Sequence, residues 1–334
     1  MKVVVTGGAG FVGSNFIRYL LRNVPDCRIL NIDKLTYAGN LNNLSDFFTD
    51  SRHHFVREDI CRQSTMEKLI RGWEAVVNFA AETHVDRSLM EPEKFLRTDV
   101  WGVFSLLEAS RRCGLKKFLQ ISTDEVYGSL IRGTARESSC LSPSNPYAAS
   151  KAAADLLAFS YYKTYGLAVS VVRSTNNFGP FQHPEKMIPL FITNALENEK
   201  LPLYGDGRQV RQWLFVEDNC RAILMILQRG QTGQVYHVSP GVGHRNISIA
   251  RMILRLLGKP ESLLQSVKDR PGHDRRYCLS SEKMRKLGWR PEWSLEKALA
   301  ATVKWYQENP GWWGALKKGA FQEDYRKQYG GQTC

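Results

Sequence analysis

No run in this chain is long and apolar enough for a membrane helix, because its longest hydrophobic stretches are broken by Arg, Lys or Asp. Met1-Lys2-Val3-Val4-Val5-Thr6-Gly7-Gly8 passes straight into a short strand and a glycine turn. That lacks the longer apolar region and small-residue cleavage site of a secretory signal. No C-x-x-C occurs, and the seven cysteines (Cys27, Cys61, Cys113, Cys140, Cys220, Cys278 and Cys334) are scattered and odd in number. They support neither a disulfide framework nor a zinc site, so reduced thiols in a cytoplasm are expected. His53-His54 has no second ligand set near it in sequence and reads as a solvated turn, so no metal is expected. Repeats and low-complexity segments are absent, and no block of five or six Lys/Arg is present.

What is present is a chain of 334 residues, 43% apolar and 24% charged, the composition of a globular protein with one large or two ordinary domains. The net charge is +13. Without a basic block or a nucleic-acid motif, this surplus favours anionic small ligands in positive clefts over nucleic acid. A merely basic surface is the second reading.

Strands and helices alternate for about 170 residues, the doubly wound α/β pattern. Lys2 to Val5 reads as a strand, followed by Gly7, Gly10 and Gly13 and a helix from about Phe11 to Arg22. Strand, glycine turn and helix form the dinucleotide-binding arrangement, with the helix N-terminus facing a pyrophosphate. The second strand, Arg28 to Ile32, closes on Asp33. An acid there accepts hydrogen bonds from ribose hydroxyls and repels a 2′-phosphate, which favours NAD over NADP. A turn cap is the alternative.

Further strands are expected at Phe55 to Arg57, Ala75 to Phe79, Lys116 to Ile121 and Ala168 to Arg173. An amphipathic helix is expected from Pro92 to Cys113, with Leu96, Val100, Val103 and Leu107 on its apolar face. Arg211 should lie beside a strand, Gln212 to Asp218, that returns to the sheet.

The strand ending at Ile121 runs into Ser122-Thr123-Asp124-Glu125-Val126-Tyr127-Gly128. Carboxyl ends of strands are where ligands sit in open α/β sheets. Two adjacent acids there can divide acid and base work if their environments separate their pKa values. A capped surface turn fits the bare tripeptide equally well. Tyr147 and Lys151 are four apart on a helix opened by Pro146, hence on one face. Lysine beside tyrosine favours phenolate and draws the phenol pKa down. Arg270-Pro271-Gly272-His273-Asp274-Arg275-Arg276-Tyr277 is a dense cationic loop suited to two phosphates. A solvated basic turn is its plainer reading.

Together these segments resemble the extended short-chain dehydrogenase/reductase superfamily and, within it, the dTDP-glucose 4,6-dehydratases. The resemblance spans about residues 2 to 315, through the motifs at 6–15, 33–40, 80–88, 122–128, 146–151, 176–180, 184–189, 270–277 and 288–291. It implies a Rossmann domain (1–174 plus about 214–240) and a smaller mixed α/β domain (about 175–213 plus 241–334) that binds a nucleotide sugar. Gly7, Gly10, Phe11, Val12, Gly13, Asp33, Lys34, Asp59, Ile60, Ala80, Ala81, Thr83 and Ser122 are then expected around NAD, with Tyr147 and Lys151. His84, Ser88, Asn177, Lys186, Arg211, Arg270 and His273 are expected around the substrate.

The implied chemistry is oxidation at the sugar C4 with Tyr147 as base, aided by Lys151 and Thr123. Glu125 then removes the C5 proton, Asp124 protonates the departing C6 hydroxyl, and hydride returns to C6. A homodimer through the helices near 92–113 and 146–165 is also implied, with no nucleic acid or membrane partner. Two departures stand out: Gln212 where Asp is usual, and Pro240 to Asn246 in place of a Gly-x-Asn-Glu element. They leave the choice between dTDP and UDP open.

Overall fold

A computed structural model describes residues 1–269 and 271–329. The strands are β1 (Lys2–Thr6), β2 (Arg28–Asp33), β3 (His53–Arg57), β4 (Ala75–Asn78), β5 (Lys117–Thr123), β6 (Val169–Ser174) and β7 (Gln234–Val238). They form one sheet in the order β7-β6-β5-β4-β1-β2-β3. Every neighbouring pair is parallel. The helices that matter here are α1 (Phe11–Asn23), α2 (Gln63–Ile70), α3 (Val103–Arg112), α4 (Pro146–Tyr165), α5 (Met187–Leu196), α6 (Val216–Arg229), α7 (Asn246–Leu257) and α8 (Leu295–Glu308).

Parallel strands are covered on both faces, which is why their sequences are almost continuously apolar. On one face Phe16, Ile17 and Leu20 of α1 meet Ile223 and Ile226 of α6. On the other, Met66 and Ile70 of α2, Leu106 and Leu107 of α3, and Ala154 and Ala158 of α4 form a second layer. A separate core joins α5, α7 and α8 through Phe191, Ile253, Leu299 and Tyr306. Within the sheet a polar ladder crosses three strands: Thr6 Oγ1 donates to Asn78 Oδ1 (2.5 Å) and Asn78 Nδ2 to Gln120 Oε1 (2.8 Å). All three residues are fully buried, so each donor is matched where water cannot reach it.

Three expectations need correction. His53-His54 is not a solvated turn: the pair opens β3, and His53 is buried. The segment after Arg211 does not return to the central sheet. Val210–Arg211 pairs antiparallel with His244–Arg245, Trp213–Phe215 pairs with Asn176–Phe178, and α6 begins at Val216. Glu217 and Asp218 favour that helix start, because acids in a first turn suit the helix dipole. The strand that does return is β7.

The helix expected over 92–113 is also not uniform. A π-helical stretch at Leu96–Gly102 lies between Pro92–Phe95 and α3. The wider turn shifts the inward face, so Leu96 is exposed while Phe95, Asp99 and Val103 are buried. Among the described residues no helix is long and apolar enough to cross a membrane.

Candidate active site

The carboxyl ends of β1, β2, β4, β5 and β6 open on one cleft of about 300 Å³. The strand order reverses between β1 and β4, the position where such sheets hold ligands. Gly7 has φ +69°, and a Cβ there would overlap the Ala80 backbone. A Cβ on Gly13 would strike the Gly7 carbonyl, so the turn and the first turn of α1 close only without side chains. Gly10 caps α1 without a side-chain hydrogen bond and no acid occupies the first turn, which leaves backbone N–H groups for an anion. Asp33 accepts from Ala9 N (2.9 Å) and Leu35 N (2.8 Å), and burial raises its pKa despite both bonds. Lys34 pairs with Asp59 at 2.7 Å.

At the end of β5, the Thr123 hydroxyl accepts from Glu125 N at 3.2 Å, capping a single 3-10 turn over Asp124–Tyr127. The same hydroxyl donates to Asp124 Oδ1 (3.2 Å) and shares a hydrogen bond with the Tyr147 phenol. Burial pushes the Asp124 carboxyl up to about 7; the Glu125 carboxylate adds to the rise and Arg211 opposes it. Asp124 Oδ2 is buried without a protein partner. Glu125 receives a 3.4 Å hydrogen bond from the Tyr277 hydroxyl, which also donates to Asp274 at 2.6 Å.

Tyr147 comes from the first turn of α4, whose start is fixed by the Asn145 side chain accepting from Ala148 N and by Pro146 at the first helical position. Lys151 Nζ donates to the Ile121 carbonyl at 2.7 Å. The expected fall in the Tyr147 pKa does not occur in the protein alone. Burial and the Glu125, Asp99 and Asp124 carboxyls hold the phenol well above its usual value, against the Thr123 hydrogen bond.

Thr123, Asp124, Glu125, Tyr147 and Lys151 all line the cleft. So do the expected cofactor residues Gly7, Gly10, Phe11, Val12, Gly13, Asp33, Lys34, Asp59, Ile60, Ala80, Ala81, Thr83 and Ser122. Of the expected substrate residues, Asn177 and Lys186 line it, and Lys186 Nζ donates to the Thr83 carbonyl at 2.6 Å. His84, Ser88, Arg211 and His273 do not. His84 caps the Val85–Met90 helix and is held down to about 4 by burial; Ser88 donates to Val85 O. Arg211 is buried beside Asp124, its guanidinium 4.1 Å from the Tyr277 ring centre and bonded to the Asp274 carbonyl at 2.8 Å. His273 lies 2.5 Å from Asp269 Oδ1. Arg270 and the tail 330–334 fall outside the described residues.

Sequence reasoning missed several groups at this cleft. Tyr37 and Glu185 line it, joined by a 3.1 Å hydrogen bond, with the Arg87 guanidinium 3.7 Å from the Tyr37 ring centre. Asn219, at the start of α6, also lines it, and both of its amide atoms are buried without a partner. Tyr37, Arg87 and Glu185 fall within the motifs at 33–40, 80–88 and 184–189, and Tyr277 closes the cationic loop; Asn219 carries no local signal. Of the two departures, Gln212 accepts from Leu279 N at 2.7 Å and is fully buried, and the 240–246 segment pairs back onto Arg211 through His244.

The family profile described as GDP-mannose 4,6 dehydratase matches residues 4–302. A dTDP-glucose 4,6-dehydratase of Streptomyces niveus is 47% identical over 322 residues, covering 95% of this chain and 96% of that protein. A low-salt glycan biosynthesis protein of Haloferax volcanii is 48% identical over 306 residues, covering 92% and 98%. Among solved structures, a Streptomyces venezuelae dTDP-glucose 4,6-dehydratase with NAD bound superposes with a TM-score of 0.93 at 47% identity, covering 95% of this chain and all of that one.

Proposed function

This chain belongs to the GDP-mannose 4,6 dehydratase family, and on that footing we propose that it converts dTDP-glucose, or UDP-glucose as the alternative, to the 4-keto-6-deoxy sugar nucleotide with internally recycled NAD. A glycine turn that Cβ atoms would fill, an α1 start without a side-chain cap, and Asp33 at the mouth of β2 fit a dinucleotide. When bound, the nicotinamide supplies a reversible acceptor for hydride leaving C4 and returning at C6, and a positive charge near Tyr147.

Tyr147 takes the proton of the C4 hydroxyl, which Thr123 orients, and the Lys151 ammonium stabilises the phenolate. The 4-keto group acidifies C5–H, and Glu125 accepts that proton. Asp124, whose carboxyl burial pushes up to about 7, protonates the C6 oxygen from its neutral form, and water leaves. Glu125 returns its proton to C5 as C6 is reduced. By motif position Asn177, Lys186, Arg211, Arg270 and His273 are assigned to the nucleotide diphosphate, in a substrate unit built from about 175–213 and 241 onward, and of these Asn177 and Lys186 line the cleft. Exposed Leu96, Trp101, Leu156 and Tyr165 on neighbouring helices support a homodimer.

The observation that carries this reading is the pair of adjacent acids at the end of β5, one buried with a raised pKa, facing the same cleft as Tyr147. Incubation with dTDP-glucose is expected to give alkali-induced absorbance and a mass lower by one water. A protein that retains NAD yet dehydrates neither dTDP- nor UDP-hexoses overturns it.

A further inference from the structure

A hollow of about 320 Å³ lies apart from the cleft and shares no lining residue with it. Arg136, Arg285, Thr134 and Ser280 line it together with Gly241 and Leu279, and no carboxylate does.

Three segments build it. Ala135 forms a parallel bridge to Leu279, with Ala135 N donating to Cys278 O (2.8 Å) and Ser280 N to Ala135 O (2.9 Å). This pairing sets Arg136 beside the 278–281 segment. Ser281 Oγ donates to the Ser239 carbonyl at 2.9 Å, which brings in the loop after β7. Arg285 follows on the short helix Glu282–Lys286. Gly241 has φ +92°, and a Cβ there would lie 3.0 Å from Arg285 Nη2, so the guanidinium rests against bare backbone.

Both arginines are exposed, and among the described residues neither guanidinium has an ion pair or a hydrogen bond. The acids next to them in sequence are engaged elsewhere. Glu137 accepts from the His237 backbone N–H at 3.4 Å, and Glu282 pairs with Lys286 at 3.4 Å. Both departures from the family pattern also meet at this wall. The Gly-x-Asn-Glu element of the family includes a glutamate; Pro240 to Asn246, which stand in its place, include no acid. Gln212 accepts from Leu279 N at 2.7 Å.

Two guanidiniums and two hydroxyls thus surround an acid-free hollow, with no carboxylate to receive the positive charge. The flat fork of arginine N–H donors matches the oxygens of a phosphate. We propose that Arg136 and Arg285 form an oxyanion site outside the cleft, taking a phosphate group either free or as the monoester of a small molecule. The hollow is large enough for a phosphate with a small organic group attached. An anion shared by both arginines ties the 134–136 segment to the Glu282–Lys286 helix. It does so along the segment that carries Tyr277, whose hydroxyl donates to Glu125 and Asp274. The site stands on residues outside the proposed reaction and does not depend on it.

The test is calorimetric titration of the NAD-bound protein, with dTDP present to fill the cleft, using sodium phosphate against sodium chloride at matched ionic strength. Wild type is expected to bind phosphate with millimolar affinity and to melt at a higher temperature as it does. Arg285→Gln and Arg136→Gln are each expected to weaken that binding about tenfold or more. Both are surface changes, so the melting temperature without phosphate should stay within about 2 °C of wild type. Glycerol phosphate in a parallel titration separates the two sources. Tighter binding than inorganic phosphate assigns a phosphate ester; equal or weaker binding assigns the free ion. A wild type that takes up no phosphate, or variants that bind it as tightly as wild type, overturn the proposal.

Discussion

Asp124 and Glu125 differ by one methylene and one position, yet their surroundings separate them. Asp124 is only 2% exposed and burial pushes its carboxyl up to about 7, whereas Glu125 is half-buried and meets the Tyr277 hydroxyl. A neutral acid and a neighbouring carboxylate are what an elimination needs from two groups. In the proposed reaction the protonated form of Asp124 is the donor, and burial raises its pKa. Elimination should therefore fall as pH rises through about 7, giving a descending limb that Asp124→Asn abolishes along with about 10²–10⁴ of the rate. Glu125→Gln should stop loss of the C5 proton while oxidation at C4 still generates the absorbance of reduced nicotinamide. A Glu125→Gln enzyme with undiminished turnover would falsify its role as the base.

Elements hold these groups in place through contacts that extend well below the cleft. Beneath the end of β5, Ser122 Oγ donates to Asp155 Oδ2 (2.9 Å), which is also paired with Arg173 Nε (2.8 Å). Arg173 in turn reaches the Tyr127 hydroxyl, which lies 2.6 Å from His237 Nε2. This chain ties β5, α4, β6 and β7 together under Thr123 and Lys151. Both Arg173 and Asp155 are almost wholly buried, so removing one partner strands a charge. Asp155→Asn should lose about 3–5 kcal/mol in urea unfolding, and an apolar replacement of both partners should lose much less. Equal losses from the single and double variants would show that packing, and not the stranded charge, is responsible. On the open side of the cleft, Tyr37 from the loop after β2 and Arg87 from the Val85–Met90 helix meet Glu185 near the start of α5.

At the scale of the whole molecule, a band of exposed apolar side chains lies on the helices that run beside each other at 96–112 and 146–165. Trp101 and Leu156 are more than half exposed. A monomer has little reason to present such residues on adjacent helices, and a second copy of the chain would cover them. Trp101→Asp combined with Leu156→Asp should convert a dimer to a monomer in sedimentation velocity without loss of secondary structure; a monomeric wild type removes the basis for that face.

Much of this was legible along the chain, because the relevant physics is local. A glycine turn that opens a helix, an acid twenty residues later, and a tyrosine and lysine one turn apart are constraints on neighbouring backbone and side chains. The doubly wound sheet follows from apolar runs that can be buried only on both faces. The inward turn of Asp99 depends instead on a π-helical register that no α period contains. Asn219 and Glu185 reach the cleft only because distant segments close around it. The high pKa of Tyr147 was likewise out of reach, since sequence spacing brings Lys151 near but says nothing of the burial, or of the Glu125, Asp99 and Asp124 carboxyls, that raise it. Local geometry chose the chemical groups; long-range packing set their charges, because burial and Coulomb energies depend on every segment that surrounds a site.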